Sequence, residues 1–247
     1  MVQQASKFYI THKEPEREKL TQEQALAEIS KRQCSLADKD VGYLNFKNMK
    51  LSHCNLINTS FFGANLIAAD LSNADMRRSY LNLARLENAN LSGADLSDAV
   101  IFQAIFDNTN FSGANLSNAR LIGNLGKVNM RAADVRHGRL GLDIGNQPMG
   151  QMKFDSVGGD FSNANFEGAD LNIASFRFGN LRGANLRNTN LHRADLIKAD
   201  LTDADLTGAN LSEAEVDDAL FTNVKGLDTV KGWQSIKGQC INCKRGH

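Results

Sequence analysis

The sequence predicts an all-β protein, a parallel β-helix with four sides to each coil. Two observations indicate this fold. A large apolar residue recurs at every fifth position along most of the chain, and the residues between follow a fixed order of small, polar and turn-forming types. An α-helix repeats about every 3.6 residues and a plain strand about every 2, so a period of five requires a different geometry.

The composition excludes several classes of function. The chain has 247 residues, with 28 basic and 28 acidic side chains. This balance excludes a generally basic nucleic-acid-binding protein and argues against an acidic mimic of DNA, which carries about one charge per 1.7 Å of duplex. No stretch approaches the roughly 18 apolar residues of a transmembrane helix, and the first residues lack the apolar core of a secretory signal. We therefore expect a cytoplasmic protein that contacts neither nucleic acid nor a membrane directly.

The repeat has a clear register. Its large apolar residue, here called the centre, falls at every fifth position from Phe46 to Leu121 and again from Phe161 to Phe221. Segments such as ANLIA, ADLSN and ANLSG show the full pattern. Self-similarity at a fixed period is the signature of a repeat architecture.

Each pentad is expected to form one side and one corner of a coil. In an extended segment the residue two before the centre points inward with it, and the residue between them points outward. The sequence agrees, because the small inward position is usually alanine, as in Ala64 and Ala69, and the outward position is usually Asp or Asn.

The last two residues of the pentad must turn the chain. The second of these corner residues is repeatedly Gly, Asn or Asp, as in Asn73, Gly93, Asp98, Gly113, Gly168, Gly183, Asn188 and Gly208. These residue types tolerate the positive φ of a type II turn, although type I corners also accept them.

Corners of roughly 90° give four pentads in a coil, and coils about 4.8 Å apart can pair as parallel strands do. Residues that are 20 apart in the sequence then stack on one face. Leu71, Leu91 and Phe111 are accordingly expected directly above one another. The whole repeat corresponds to about nine coils and a rod of roughly 43 Å.

With these pentads the chain resembles the pentapeptide-repeat family. The resemblance covers about residues 41–224, and its motif is highly specific when it is repeated this often. It implies a bacterial repeat protein whose fold is a right-handed quadrilateral β-helix.

The segments outside the repeat are expected to cap it, because an open β-helix exposes apolar rungs at both ends. Residues 1–40 contain a helical cap, which Thr21 and Gln24 begin with a capping box. Residues 225–247 form a short C-terminal cap around Trp233 and end in a flexible tail.

The repeat is least regular at residues 121–160. Only four residues separate Leu121 from Leu125, and a weaker set of centres ends at Phe154 before two extra residues precede Phe161. We interpret this stretch as degenerate coils with a bulge or short loop. It is either a tolerated surface irregularity or a functional loop.

No constellation of residues predicts catalysis, and we expect no cofactor. The five histidines are scattered, and neither a Ser-His-acid set nor a Gly-rich phosphate loop accompanies them. Cys240, Cys243 and His247 supply only three of the four ligands of a structural zinc site. A silent pair of cysteines is the main interpretation, with a local disulfide or a metal site as alternatives. Cys54 occupies a small inward position and is expected to be a buried, inert thiol.

Apolar residues at solvent-facing positions depart from the repeat in an informative way. If coils contain 20 residues, the pentads centred on Phe61, Leu81, Ile101 and Leu121 stack on one face. Their solvent-facing positions hold Phe62, Tyr80, Leu83, Val100, Phe102 and Ile122. A contiguous apolar patch usually marks contact with another surface.

Three occupants of this patch remain open at the level of sequence. Residues 1–20, with Phe8, Tyr9 and Ile10, can fold back over it. The patch can also join two copies of the chain as a homodimer, or bind a different protein.

Charge is banded along the rod. Basic residues in successive pentads are Arg177, Arg182, Arg187, Arg193 and Lys198. The acidic C-terminal coils follow, with Asp200, Asp203, Asp205, Glu213, Glu215, Asp217 and Asp218. They form either a solvated surface that keeps rods from stacking end to end or a face that docks on a basic groove.

These observations support three functional hypotheses. The leading one is a non-enzymatic scaffold that presents a rigid wall to a protein partner or to its own copy. The second is a topoisomerase modulator, because members of the resembled family that imitate duplex DNA bind DNA gyrase and inhibit it or protect it from drugs. Neutral net charge counts against this hypothesis, while the acidic coils support it. Zinc or redox chemistry at Cys240 and Cys243 is the third.

Overall fold

The computed structural model describes residues 16–141 and 153–243. Within these ranges the chain coils into a β-helix whose successive turns pair in parallel, mostly 20 residues apart. The outward residues that precede Leu71, Leu91 and Phe111 pair with one another in turn, which confirms that these three centres are stacked.

The regular elements are short because each side of a coil contains few extended residues before its corner. They are strands β1 (Glu18–Lys19), β2 (Lys39–Asp40), β3 (Val100–Phe102), β4 (Arg120–Asn124) and β5 (Phe154–Asp155), helix α1 (Gln22–Ile29), and 3-10 helices at Leu227–Thr229 and Trp233–Ser235. Strand β1 pairs with β2, and β3, β4 and β5 form a parallel three-stranded sheet in that order. None of the helices in the described ranges has the length and apolar character needed to cross a bilayer.

The corners have the positive φ that distinguishes type II from type I turns. The φ angle is 54° at Asn73, 65° at Gly93 and 58° at Asp98, and the other corner residues singled out from the sequence are also positive. Corner amides pair between coils as well, since the N–H of Asn73 donates to the carbonyl of Ser92 at 2.9 Å. Each corner therefore extends the hydrogen-bonded ladder of the sides.

The interior consists of the centres and the small residues two positions before them. Leu71, Leu91 and Ala64 are fully buried, and the buried side chains form one continuous cluster from Leu20 to Val230. Burying a large apolar side chain contributes about 1.5–3 kcal/mol. The column of centres is thus the main source of stability against the entropy of ordering the chain.

The first change of register is the predicted one. Asn110 pairs with Asn129, 19 residues later, which confirms the shift between Leu121 and Leu125. Gly123 is both the second corner residue after Leu121 and the small residue two before Leu125. This double role removes one residue from the coil.

A second change of register follows at once. Asn129 pairs with Asp160, 31 residues later. The additional chain leaves and rejoins the column at one place, since the N–H of Phe154 donates to the carbonyl of Leu140 at 3.3 Å. Residues 142–152, which include part of the predicted irregular segment, lie outside the described residues. Sequence position modulo 20 therefore assigns a face only within each half of the column.

Phe154 is not a centre, which corrects the interpretation of this segment. The N–H of Ser156 donates to the carbonyl of Ser175 at 3.0 Å, as the amides of other centres do. Phe154 is two residues earlier, at the small inward position, and its ring lies 5.2 Å from that of Phe176. Exchanging the large and small positions keeps this rung filled, because the aromatic ring occupies the space that a centre normally takes.

Two of the four faces concern the surfaces described below. Face A carries the stacked centres Val41, Phe61, Leu81, Ile101, Leu121, Leu140, Leu171, Leu191 and Leu211. Face B follows it along the chain, with centres Phe46, Leu66, Leu86, Phe106, Leu125, Ser156, Phe176 and Leu196.

Helix α1 lies at the N-terminal end of the column. Thr21 and Gln24 form the predicted capping box, in which the Thr21 hydroxyl accepts from the Gln24 N–H at 3.3 Å and the Gln24 side chain accepts from the Thr21 N–H at 2.8 Å. Ala25 and Leu20 are buried in the core cluster. The helix therefore joins the same hydrophobic interior as the repeat.

The cysteines are disulfide-bonded, as Cys34–Cys54 and Cys240–Cys243. The expectation of a free thiol at Cys54 is wrong, because Cys34 occupies the small inward position directly above it, one coil earlier. Cys54 is nevertheless buried, as expected. At the other end, the local disulfide is the alternative that the structure adopts.

Coil pairing continues further towards the C-terminus than the repeat motif does. Ile241 pairs with Leu220, and the ring of Trp233 packs 6.0 Å from that of Phe221. The interpretation of the last segment as a flexible tail is therefore corrected for residues up to Cys243, because their backbone adds to the ladder.

Candidate interaction surfaces

The apolar residues predicted to face solvent lie together along the corner between faces A and B. Tyr80 pairs with Val100 on the next coil, and Phe102 in β3 pairs with Ile122 in β4. Leu83 follows at the corner and is 43% exposed. The stacking of coils therefore brings the predicted residues into one region.

Ile122 is an exception to the predicted patch, because it is only 1% exposed. The register shift at Gly123 replaces the usual corner by continued strand β4. Ile122 consequently lies inside the middle strand of a three-stranded sheet, and it does not contribute to the accessible surface.

Two further apolar side chains extend the patch. Tyr43, 71% exposed, packs edge to face against Phe62 with ring centres 5.5 Å apart, and Ile105 is exposed on face B. Sequence reasoning missed Tyr43 because it compared only the coils that start at Phe61. The signal was present, since Tyr43 and Leu83 are corner residues of the same stack. We define the corner patch as Tyr43, Phe62, Tyr80, Leu83, Val100, Phe102 and Ile105.

Two residues of the corner patch have a costly backbone conformation. Tyr43 has φ 62° and Leu83 has φ 59°. A bulky side chain in this left-handed region costs about 1–2 kcal/mol, and Asn, Asp or Gly occupies many of the other corners. Since both side chains are exposed, burial in the core does not offset this cost. Such local strain is often associated with function.

The N-terminal segment reaches the edge of the corner patch. The Arg17 guanidinium lies 4.3 Å from the centre of the Tyr80 ring and donates from Nε to the carbonyl of Asn58 at 2.7 Å. Internal cover by residues 1–20 is described only for its last five residues. Phe8, Tyr9 and Ile10 lie outside the described residues.

The predicted acidic coils are joined to the basic pentads before them. An arginine just after one centre reaches a carboxylate just before the centre of the next coil, 18 residues later. The ion pairs are Arg177–Asp195 (3.0 Å), Arg182–Asp200 (3.1 Å), Arg187–Asp205 (3.2 Å), Arg193–Glu213 (3.8 Å) and Arg182–Asp203 (4.0 Å).

These pairs change the electrostatic character of the acidic coils. Asp200, Asp203, Asp205 and Glu213 have arginine partners. Lysines stack on the far side of the band, since Glu215 pairs through its backbone with Lys237, and Asp205 with Lys225. The acidic band thus lies between two rows of cations, and its field is weaker than the sequence suggests.

The aspartates of this band favour the ionised form. Burial acts to raise the pKa of Asp200, but hydrogen bonds from Thr202 and the Arg182 guanidinium outweigh it and hold the pKa below its ordinary value. The pKa of Asp205 is lowered in the same way. Both carboxylates are therefore charged at neutral pH and available to their arginines.

The described part of the chain contains no group of three or more His, Cys, Asp or Glu side chains arranged to hold a metal ion. Cys240 and Cys243 are bonded to each other, and His247 lies outside that part. A groove of about 320 Å³ lies beside the corner patch, lined by Gln103, Ala104, Ile105, Asp107 and Asn124. Its lining contains no nucleophile paired with a base.

Comparisons with known proteins agree with this geometry. A sequence model of pentapeptide repeats matches the chain in 8 copies, over residues 44–78, 79–121, 158–188 and 184–223. The crystal structure of HetL, a pentapeptide repeat protein involved in heterocyst differentiation regulation in the cyanobacterium Nostoc, is 25% identical, covers 88% of this chain and 93% of that one, and has a TM-score of 0.60.

QnrB1, a plasmid-mediated fluoroquinolone resistance protein, is 16% identical over 81% of this chain and 91% of that one, with a TM-score of 0.54. At this identity the likeness concerns the fold alone. No curated protein sequence matches the chain.

Proposed function

Since the chain belongs to the pentapeptide-repeat family, whose proteins are generally non-enzymatic, we propose that it is an interaction protein that presents its corner patch to another protein. The observation that carries this proposal is the patch itself. Apolar side chains follow one corner of the column, where the repeat otherwise places polar residues.

The column makes the patch a rigid one. Its side chains project from coils held about 4.8 Å apart by the backbone ladder, so Phe62 and Phe102 are roughly 10 Å apart. A preformed surface loses little conformational entropy when a partner binds. Rigid aromatic side chains are also the residues on which protein interfaces most often depend.

Charged groups at the rim supply specificity. The Arg120 guanidinium lies 5.6 Å from the centre of the Phe102 ring, and Arg17 lies over Tyr80. An apolar centre with arginines at its margin is the usual anatomy of a protein interface. HetL supports this class of role, because it is a protein of the same fold involved in regulation.

Capture from a lysate of the native host tests the proposal. We expect the wild type to retain a protein that the double variant Phe62→Asp, Phe102→Asp does not retain. Ile57→Asp, which places the same charge outside the patch, is the matched control and should behave as wild type. Identical captured proteins for all three would reject the proposal, provided that circular dichroism shows each variant to be folded.

Self-association is the main alternative occupant of the patch. Light scattering would then report a dimer that Phe102→Asp converts to a monomer. A wild-type monomer at high concentration would remove this alternative and leave a different protein as the partner.

The topoisomerase alternative has less support. It needs a surface that resembles DNA, whereas Asp200, Asp203, Asp205 and Glu213 are paired with arginines. Supercoiling by DNA gyrase, with and without a quinolone, tests it directly. We expect micromolar protein to have no effect, and inhibition or drug protection would reinstate this alternative.

The disulfide bonds bear on the expected cytoplasmic location. Disulfides persist in oxidising compartments and are rare in the cytoplasm. Cys34–Cys54 and Cys240–Cys243 therefore favour an oxidising compartment. Labelling of protein taken directly from cells should find unreactive thiols, and rapid labelling without a reductant would favour the cytoplasm.

A further inference from the structure

A second exposed surface lies on face B in the other half of the column, around Phe178. We propose that this surface binds an acidic peptide segment of a partner protein, in which carboxylates flank an apolar side chain.

The first step is the arrangement of corner residues. Gly158, Phe178 and Lys198 stack on consecutive coils, as the hydrogen bond from the Phe178 N–H to the carbonyl of Ile197 (3.0 Å) illustrates. Lys127 is the preceding member of the stack, since a β-carbon placed on Gly158 would lie 3.6 Å from its Cε. One aromatic ring is thus located between two lysines along the same corner.

The second step is that folding does not require an aromatic residue here. Phe178 is 51% exposed and has φ 57°, and Val157 beside it is also exposed. Asn163 and Asn188 adopt the same φ at equivalent corners without the strain of a bulky side chain. Phe178 therefore gains nothing evident within the chain, which points to a use outside it.

The third step is the charge around the ring. Lys198 Nζ lies 5.6 Å from the centre of the Phe178 ring, and both Lys198 and Lys127 are exposed. Within residues 16–141 and 153–243, neither lysine forms an ion pair with a carboxylate. Arg177, by contrast, is neutralised by Asp195 at 3.0 Å. The surface consequently presents two available cations, one on each side of an apolar group.

These features define the chemistry of the ligand. An apolar side chain can pack on Phe178 and Val157 while carboxylates on either side reach Lys127 and Lys198. The lysines are three coils apart, roughly 14 Å, which is the span of about four extended residues. Asp218 lies on the coil beyond Lys198 and ends the basic stretch. A short acidic segment fits this length and charge.

The site is independent of the corner patch. Phe178 lies three coils beyond Ile105, on the other side of both register changes, so one surface can be altered without the other. The Phe62 and Phe102 variants test only the corner patch.

Fluorescence anisotropy with a defined probe tests the inference. The probe is a fluorescein-labelled peptide of sequence EDELFEDE, with KRKLFKRK as the charge-reversed control and EDEGGEDE as the control without apolar side chains. We expect EDELFEDE to bind at least about tenfold more tightly than either control. Its affinity should fall as salt is added, because the lysines are exposed.

Variants then locate the binding. Phe178→Asn and the pair Lys127→Gln, Lys198→Gln should each weaken EDELFEDE at least about tenfold. Leu83→Asn, the same change at a strained corner of the corner patch, is the matched control and should leave the affinity unchanged. Thermal unfolding should show that Phe178→Asn is folded, since asparagine suits this φ.

Two results would overturn the inference. One is equal binding of EDELFEDE and KRKLFKRK, or no loss of affinity in both the aromatic and the lysine variants. The other is a wild-type dimer in sedimentation that Phe178→Asn abolishes, which would make a second copy of this chain the occupant.

Discussion

The halves of the column on either side of residues 142–152 use their arginines in different ways. In the first half, Arg77 pairs with Asp75 at 2.7 Å, two residues away on the same side of the same coil. In the second half, Arg182 pairs with Asp200 at 3.1 Å, on the next coil. Both halves have the same core and ladder, so the difference concerns their outer surfaces.

This difference explains where the accessible apolar surfaces are. Ion pairs within a coil leave the neighbouring coil uncovered, and the first half exposes the corner patch. Ion pairs between coils cover much of the second half, where exposed apolar residues are confined to the surroundings of Phe178 and Val157. A uniform repeat thus carries two kinds of surface, and the outward and corner residues determine which kind each face presents.

The largest expected effect concerns the core, which also differs in packing between the halves. Phe176 lies 5.2, 5.0 and 5.9 Å from the rings of Phe154, Phe161 and Phe166. We expect Phe176→Ala to lower the free energy of unfolding by about 3–5 kcal/mol, because a large cavity opens in this cluster. Chemical denaturation followed by circular dichroism measures the loss. Leu71→Ala, in the first half, is the comparison, and a smaller loss at Phe176 would contradict the packing described here.

The next effect concerns the small inward position. Gly159 occupies it in the second half, where the first half has alanine, as at Ala64. A β-carbon on Gly159 would lie 2.8 Å from the Phe161 ring and 2.5 Å from the Ser156 hydroxyl. We expect Gly159→Ala to destabilise by about 1–3 kcal/mol through overpacking.

Thermal and chemical unfolding of Gly159→Ala would check this value. Ala64→Gly is its counterpart and should cost less, about 0.5–1 kcal/mol, through backbone entropy alone. A stabilised Gly159→Ala would show that the phenylalanine cluster has room to spare.

The ion pairs predict a smaller effect that depends on pH. The pKa values of Asp75 and Asp200 are both lowered on folding, so each ionised carboxylate stabilises the fold above the ordinary aspartate pKa. This contribution is lost as the pH falls through the folded-state pKa. We expect Asp75→Asn and Asp200→Asn to lose less stability than the wild type between about pH 5 and about pH 3.

The two halves should differ in the origin of this effect. The Arg77 hydrogen bond is the largest cause of the shift at Asp75, so Arg77→Gln should remove most of its pH dependence. At Asp200, burial opposes the shift and Thr202 contributes more than Arg182, so Arg182→Gln should retain most of it. Unfolding midpoints measured across this pH range would distinguish these outcomes, and equal losses would contradict the assignment.

Much of the fold follows from the sequence because every pentad repeats the same physical roles. Alanine two before leucine, with Gly, Asn or Asp at the corner, identifies sides and corners without reference to distant residues. Two features escaped although the spacing contained them. Cys34 and Cys54 are 20 residues apart at equivalent positions, and Arg182 and Asp200 are 18 apart, which the stacking converts into contacts.

Other features have no such signal in the residue types. Gly123 belongs to two pentads at once, so the exposure of Ile122 depends on how the shift is accommodated. Ser156 is a polar residue at a centre, and only its packing beside Phe154 explains it. Candidate surfaces are harder still to predict, since exposure at a corner depends on the coils above and below.

The smallest expected change in stability would separate function from folding. Leu83→Asn removes an exposed apolar side chain from the corner patch and places a tolerant residue at φ 59°. We expect the free energy of unfolding to stay the same or rise by up to about 1 kcal/mol, as local strain is relieved. Thermal unfolding beside the matched variant Ile67→Asn, which lies away from such a corner, measures the difference. If Leu83→Asn instead destabilises the protein as much as that control, then leucine contributes to packing, and the strain at this corner would no longer indicate a partner.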